Sequence, residues 1–223
     1  MNDLIENFRK QPRIISVVVD NDSWILPYAE KLVDTIHANG DQASLCRNYD
    51  EIREGLAAFY LGCTKITPPE ILEKSYFNLV VHESDLPRGR GFAPMTWQIL
   101  EGENSIVMCL IEAREKVDSG KVYIKKYLQL DGTELNDELR DFQGRMSVEI
   151  CLEFLEMKEP PEGEEQKGDA TYYPRRTPRD SELDVEKTIA EQFNLLRVVD
   201  NERYPAFFVL DGVNYILRIE KSN

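Results

Sequence analysis

The sequence predicts an α/β protein with a mostly parallel central sheet, followed by a small C-terminal α+β module that ends in a β-hairpin. Three observations lead there. Apolar runs of strand length alternate with stretches of helical periodicity through the first half of the chain, the pattern of parallel strands joined by crossover helices. A proline- and glutamate-rich break, KEPPEGEEQK, falls at 158–167. Beyond it, AFFVL and VNYILRI flank Asp211-Gly212, a dipeptide suited to the positive backbone angles of a two-residue hairpin turn.

The elements follow in order. Arg13 to Asp20, RIISVVVD, reads as a buried strand, and Trp24 to Ala38 carries apolar residues at helical spacing up to a stop at Asn39-Gly40. Next come strands at Gln42 to Arg47 and Leu56 to Leu61, a short helix led by Pro68-Pro69 through Leu72, and the strand Phe77 to His82. After a Pro/Gly-rich loop, Pro94 opens a short helix to Leu100, where a missing first-turn N–H costs nothing. Strands Ser105 to Ala113 and Val122 to Leu130 precede the longest helix, which begins near Thr133 or Glu134. Its Leu135, Leu139, Phe142, Met146, Ile150 and Phe154 form one apolar stripe. The chain therefore divides into a main domain at 1–157, an exposed linker at 158–167 and a small module at 168–223, in which a helix is expected from about Val185 to Leu195.

Composition narrows the function. A chain of 223 residues supports one good-sized core, and 42% hydrophobic with 30% charged residues describes a folded globular protein. The N-terminus, MNDLIENFRK, lacks the apolar core of a signal peptide, and no run approaches about 18 apolar residues, so a cytoplasmic protein without a membrane partner is expected. Cys46, Cys63, Cys109 and Cys151 lie far apart in apolar contexts. Free buried thiols are expected there, and no metal site. Lys and Arg number 27 against 41 Asp and Glu, a net charge of −14, which disfavours nucleic acid as a ligand. No GxGxxG follows the first strand, so a dinucleotide site has no support.

The chemistry points to 82–118. NLVVH delivers His82 at a strand end, where open α/β sheets present catalytic groups. With Asp118 of VDSG it makes a minimal acid/base kit near neutral pH. The plainer alternatives are a histidine capping a buried strand and an aspartate serving its turn. Tyr172, Tyr173, Arg175 and Arg176 suit either packing or ligand contact.

Taken in order, HESDLPRGRGFAPMTWQILEGENS and the later KVDSG resemble the signature of the folate-dependent formyltransferases. Upstream, LGCTKITPPEIL resembles the loop and helix before that family's histidine strand. Downstream, TYYPRRTPRDSELD and EQFNLLR resemble the small C-terminal region of its amino-sugar members. The resemblance implies a Rossmann-like formyltransferase fold and transfer of a formyl group from N10-formyltetrahydrofolate to an amine. It assigns His82 to acid/base and oxyanion work, Asp118 to orienting the imidazole or relaying the proton, and Ser84 to the same catalytic set. Gly62, Cys63, Thr64, Lys65 and Ile66 would lie beside the pterin, with Leu86, Pro87 and Val117 walling the site. Tyr172, Tyr173, Arg175 and Arg176 would stand near the acceptor.

Two positions depart from the family pattern. The asparagine two residues before the histidine, which holds the formyl oxygen, is Val80 here, and valine offers no hydrogen bond. That contact falls to His82, Ser84 or a backbone N–H, or else the chain is an impaired relative. An arginine found after Arg-Gly in some sugar members is Phe92. The acidic charge and the short stretch after the linker disfavour a tRNA acceptor. The expected acceptor is a small-molecule amino sugar, nucleotide-linked or of nonulosonic-acid type, in polysaccharide precursor synthesis. Alternatives are a non-catalytic folate- or sugar-binding relative and a methionyl-tRNA formyltransferase. The hairpin Ala206 to Ile219 offers an edge that a homodimer could use.

Overall fold

The computed structural model describes residues 2–222. In chain order the elements are α1 (Asn2–Arg9), β1 (Ile14–Val18), α2 (Leu26–Ala38), β2 (Gln42–Cys46), β3 (Gly55–Tyr60), α3 (Pro69–Leu72), β4 (Ser75–His82), β5 (Arg90–Gly91), α4 (Pro94–Leu100), β6 (Ser105–Glu112), β7 (Val122–Gln129), α5 (Asn136–Glu156), β8 (Tyr172–Tyr173), α6 (Phe193–Val198), β9 (Ala206–Leu210) and β10 (Val213–Leu217). Six strands form one sheet in the order β2-β1-β3-β4-β6-β7. The first four run parallel, while β6 is antiparallel to β4 and β7 antiparallel to β6. From β1 the chain steps outward to β2 and then returns to the other side of β1 for β3. That reversal opens a crevice beyond the carboxyl ends of β1 and β3, where ligands of open α/β sheets bind.

The strands are apolar because both faces of the sheet are covered. On one face α2 and α5 pack together, and Gly144 of α5 lets Tyr28 of α2 lie against the helix, since a Cβ there would meet the Tyr28 ring at 2.6 Å. The Tyr28 hydroxyl donates to Asp141 at 2.8 Å. Beneath them Phe8, Phe59, Phe77, Tyr123 and Phe154 meet edge to face, Phe77 and Phe154 at 5.1 Å between centroids, an arrangement that aligns ring edges with ring faces. Phe8 brings α1 into this cluster, and Leu4, Ile5 and Phe8 at helical spacing are the signal of that helix. The opposite face holds smaller clusters, Val18, Cys46, Ile52, Ala58, Tyr60 and Ile71 in one and Leu86, Val107, Cys109, Ile111 and Val122 in the other. Cys46, Cys63, Cys109 and Cys151 are all free thiols.

Two C-terminal expectations change. The helix expected at about Val185 to Leu195 does not form until Phe193. Gln192 explains the delay: its side chain accepts from the Asp184 N–H at 2.6 Å and donates to the Asp184 carbonyl at 3.0 Å, satisfying in a loop the groups a helix would have paired. The 158–167 stretch is exposed for most of its length, yet it does not hang free. Glu164 exchanges two 2.8 Å backbone hydrogen bonds with Val122 of β7, and Gln166 donates to the Asp118 and Gly120 carbonyls at 2.8 and 2.9 Å.

Past that stretch, Leu183, Leu196, Val199 and Ala206 form a separate small core. Buried Arg197 pins it to the sheet side, donating to Glu134 at 2.9 Å and to Asn104 at 3.0 Å. The β9–β10 hairpin turns through Asp211 and Gly212 with φ of 50° and 76°, the turn the dipeptide calls for. No helix among the described residues is long and apolar enough to cross a membrane.

Candidate active site

A cavity of about 730 Å³ occupies the crevice at the switch point. The β1–α2 loop contributes Asn21, Ser23 and Trp24, the β3 end Tyr60 to Thr67, the β4 end Val80 to Glu83, and the β6–β7 loop Arg114, Val117 and Asp118. Helix α5 adds Arg140 and Gln143 from one side, and the C-terminal region adds Arg176, Asp200 and Tyr204.

His82 closes β4 opposite Cys109 of β6 and is buried. Its Nε2 lies 2.9 Å from the Gly89 carbonyl, which can only accept, so Nε2 donates and Nδ1 is the nitrogen left for proton exchange. Nδ1 faces Asp118 Oδ1 at 3.6 Å. Asp118 sits at φ 51°, in the left-handed region that side-chain-bearing residues visit sparingly. Two contacts hold it there: its Oδ2 accepts the Gly91 N–H at 2.8 Å, and Gln166 holds its carbonyl as described above. Gly91 has φ 102°, and a Cβ on it would lie 2.4 Å from the Tyr173 carbonyl. Only glycine lets β5 and β8 approach closely enough to present that N–H.

The structure gathers some of the residues singled out in the sequence and separates others. Gly62, Cys63, Thr64, Lys65, Ile66 and Val117 line the cavity with His82 and Asp118. The loop takes its shape from Asp20, whose carboxylate accepts the Thr64 and Lys65 N–H groups at 3.0 and 2.9 Å. Burial raises the Asp20 pKa, but the Asn21 amide and these two N–H groups outweigh it and hold the carboxyl below its usual value. Burial also pushes the Cys63 thiol up to about 12, which removes it as a nucleophile near neutral pH. Ser84, Leu86 and Pro87 are buried beside the cavity and do not line it.

Of the four residues expected near the acceptor, Arg176 alone lines the cavity. Tyr173 stacks on Trp97 at 6.2 Å and donates its hydroxyl to Glu101 at 2.6 Å. Tyr172 pairs with Arg90, and Arg175 lies over the Phe92 ring at 5.5 Å. The segment thus braces the loop that carries Gly89 and Gly91, with Thr171 accepting the Gly89 N–H at 2.8 Å. Val80, in place of the expected asparagine, stands between Tyr60 of β3 and Ile111 of β6 in an apolar patch. Asn78 is no replacement, because its amide is spent on the Leu72 and Ser75 carbonyls.

Sequence reasoning missed Trp24, Glu83, Arg140, Gln143, Asp200 and Tyr204 as cavity residues. For Glu83 a signal existed, since a carboxyl directly after a strand-end histidine must lie at the same sheet edge. The others come from elements whose facing depends on tertiary packing.

A family model described as formyl transferase matches residues 37–150. The methionyl-tRNA formyltransferase of Pseudothermotoga lettingae is 29% identical over 148 residues, covering 66% of this chain and 48% of that protein. The chain spans no more than about half the length of the curated relatives it matches, 30% in the case of the Rickettsia prowazekii enzyme. The structure of methionyl-tRNA formyltransferase from Clostridium thermocellum superposes with a TM-score of 0.78 at 22% identity, covering 94% of this chain and 93% of the other. A sugar N-formyltransferase from Shewanella sp FDAARGOS_354 superposes with a TM-score of 0.67 at 12% identity, covering 94% and 98%. At these identities the superpositions establish the fold.

Proposed function

The chain belongs to the formyl transferase family, and on that footing we propose that it transfers a formyl group from N10-formyltetrahydrofolate to the primary amine of an amino sugar. Attack by an amine builds negative charge on the formyl oxygen and requires proton movement between two nitrogens. His82 Nδ1 and Asp118, side by side at the cavity wall, are placed for the proton movement. Ile66 and Val117 line the cavity while remaining 64% and 45% exposed, apolar surface that no part of the protein covers.

Arg176 carries the sugar reading. Its Nε is buried without a hydrogen-bond partner, while its Nη2 donates to the Asp180 carbonyl at 2.8 Å. Burial lowers its pKa, and an anion at Nε would repay that cost. Among the described lining residues, Arg114 and Arg140 are already paired with carboxylates, leaving Lys65 and Arg176 without a salt bridge. Two cations suit the diphosphate of a nucleotide-linked sugar, whereas a tRNA backbone is held through many phosphate contacts.

The test is incubation with formyltetrahydrofolate and a panel of nucleotide-linked 4-amino sugars, amino nonulosonic acids and initiator methionyl-tRNA, read by mass spectrometry. Formylated sugar is the expected product; formylation of the tRNA alone would overturn the reading. Val80 favours one second reading, a relative that binds folate and sugar without turnover. Tight binding with no formylated product on any acceptor would select it. The same proposal includes a homodimer through the β9–β10 hairpin, where Val209, Leu210, Val213, Tyr215 and Ile216 are exposed.

A further inference from the structure

One ionisable side chain in the cavity is used by neither the family motif nor the His82–Asp118 pair. Glu83 follows His82 at the end of β4 and lines the same cavity. Its Oε1 accepts from the Gln143 amide of α5 at 2.7 Å, and its backbone carbonyl accepts from Gln98 of α4 at 2.6 Å. Apart from the Gln143 amide, only its own backbone N–H assists the carboxylate among the described residues. No Lys or Arg among the described residues forms a salt bridge with it either. Arg140, three residues before Gln143 on α5, is engaged with Asp200 at 2.8 Å.

The charged groups acting on Glu83 are few. Burial raises its pKa and Asp118 adds to the rise, while His82, the Gln143 amide and its own backbone N–H oppose it; the balance leaves the carboxyl above its usual range. A carboxyl held this way costs stability, and one lining a ligand cavity is a candidate functional group. His82 offers a single nitrogen, Nδ1, for proton transfer, because its Nε2 is held by the Gly89 carbonyl.

We propose that Glu83 receives the acceptor's ammonium group and takes its first proton, and is therefore a catalytic residue of this site. The assignment rests on the amino-sugar reading above. An amine arrives as R–NH₃⁺, with no lone pair to attack with. One proton passes to the Glu83 carboxylate, leaving R–NH₂ and a neutral carboxyl. The freed lone pair forms the new C–N bond to the formyl carbon, the bond from that carbon to N10 of the folate breaks, and a second proton from the attacking nitrogen ends on N10 by way of His82 Nδ1. Glu83 then returns its proton to solvent. The balance is R–NH₃⁺ and the formyl donor giving the formamide, tetrahydrofolate and one H⁺.

Calorimetric binding without any formyl donor tests the first half of this. The probes are UDP- and dTDP-linked 4-amino-4,6-dideoxyhexoses, each beside its counterpart with a hydroxyl in place of the amine. Wild-type protein should prefer the amino compound by about 10-fold or more. Glu83→Gln should erase that preference while binding the hydroxyl compound as wild type does, which also shows that the cavity is intact; Glu83→Asp should restore part of it. With formyl donor present, Glu83→Gln should lower kcat about 100-fold. A base must be ionised to act, so wild-type kcat/KM should rise with pH along an acidic limb above the ordinary value of 4.5, and that limb should vanish in the variant. A glutamine variant that keeps both the amine preference and the limb overturns the assignment. Wild-type protein that binds neither kind of sugar overturns the amino-sugar reading, and the assignment falls with it.

Discussion

Arg197 with Glu134 and His82 with Asp118 are both buried pairs of ionisable side chains, but the first is fastened on every side and the second is not. Arg197 meets Glu134 at 2.9 Å, and its remaining nitrogens reach the Glu134 carbonyl, Asn104 and Asn194. The two Glu134 oxygens also accept the Asp131 and Gly132 N–H groups at 2.7 and 3.0 Å. Burying such charges costs several kcal/mol each, and bonding this complete offsets the cost. His82 and Asp118 stand 3.6 Å apart, on a cavity wall, with the imidazole Nδ1 uncommitted. The structural pair spends its bonding capacity, while the pair proposed to react keeps some of it free.

Substitutions at the two pairs should therefore fail in different ways. The largest effect is expected at Arg197→Ala, which leaves Glu134 buried and uncompensated and should cost about 3–5 kcal/mol of stability in a denaturant titration. A cost under about 1 kcal/mol would mean that the C-terminal module docks through its apolar contacts instead. Next comes Asp118→Asn, which keeps the shape and the Gly91 contact but removes the charge facing His82. It should lower formyl transfer about 100-fold with the unfolding midpoint close to wild type, and near-normal turnover would remove Asp118 from the mechanism. The smallest effect is expected at Val80→Asn, which restores the hydrogen-bonding group the family places two residues before the histidine. Unchanged or higher turnover is expected, whereas a large loss would show that the site depends on its apolar patch.

The contrast also shows what the sequence could reveal. Period-2 and period-3.6 patterns mark every strand of the main sheet within a residue or two, because burial on both faces leaves long apolar runs at β1, β3 and β4. His82 was legible because strand ends of such a sheet meet at one edge, whereas the Gly62 to Ile66 loop, and the catalytic part given to Asp118, came from the resemblance to the formyltransferases. Tyr172, Tyr173 and Arg175 were not, since a short polar segment carries no periodicity and its facing is set by β8 pairing with β5. The Arg197–Glu134 pair, 63 residues apart, left no local trace at all.

We propose that the loosely held pair performs the chemistry while the fully bonded pair holds the fold. Turnover per folded molecule, measured side by side for His82→Ala and Arg197→Ala at a temperature where both retain folded protein, tests it most directly. A loss of at least about 100-fold is expected for His82→Ala with stability unchanged, and near-wild-type turnover per folded molecule for Arg197→Ala. Equal turnover losses in the two variants, or a His82→Ala protein that still transfers formyl groups at the wild-type rate, would contradict it.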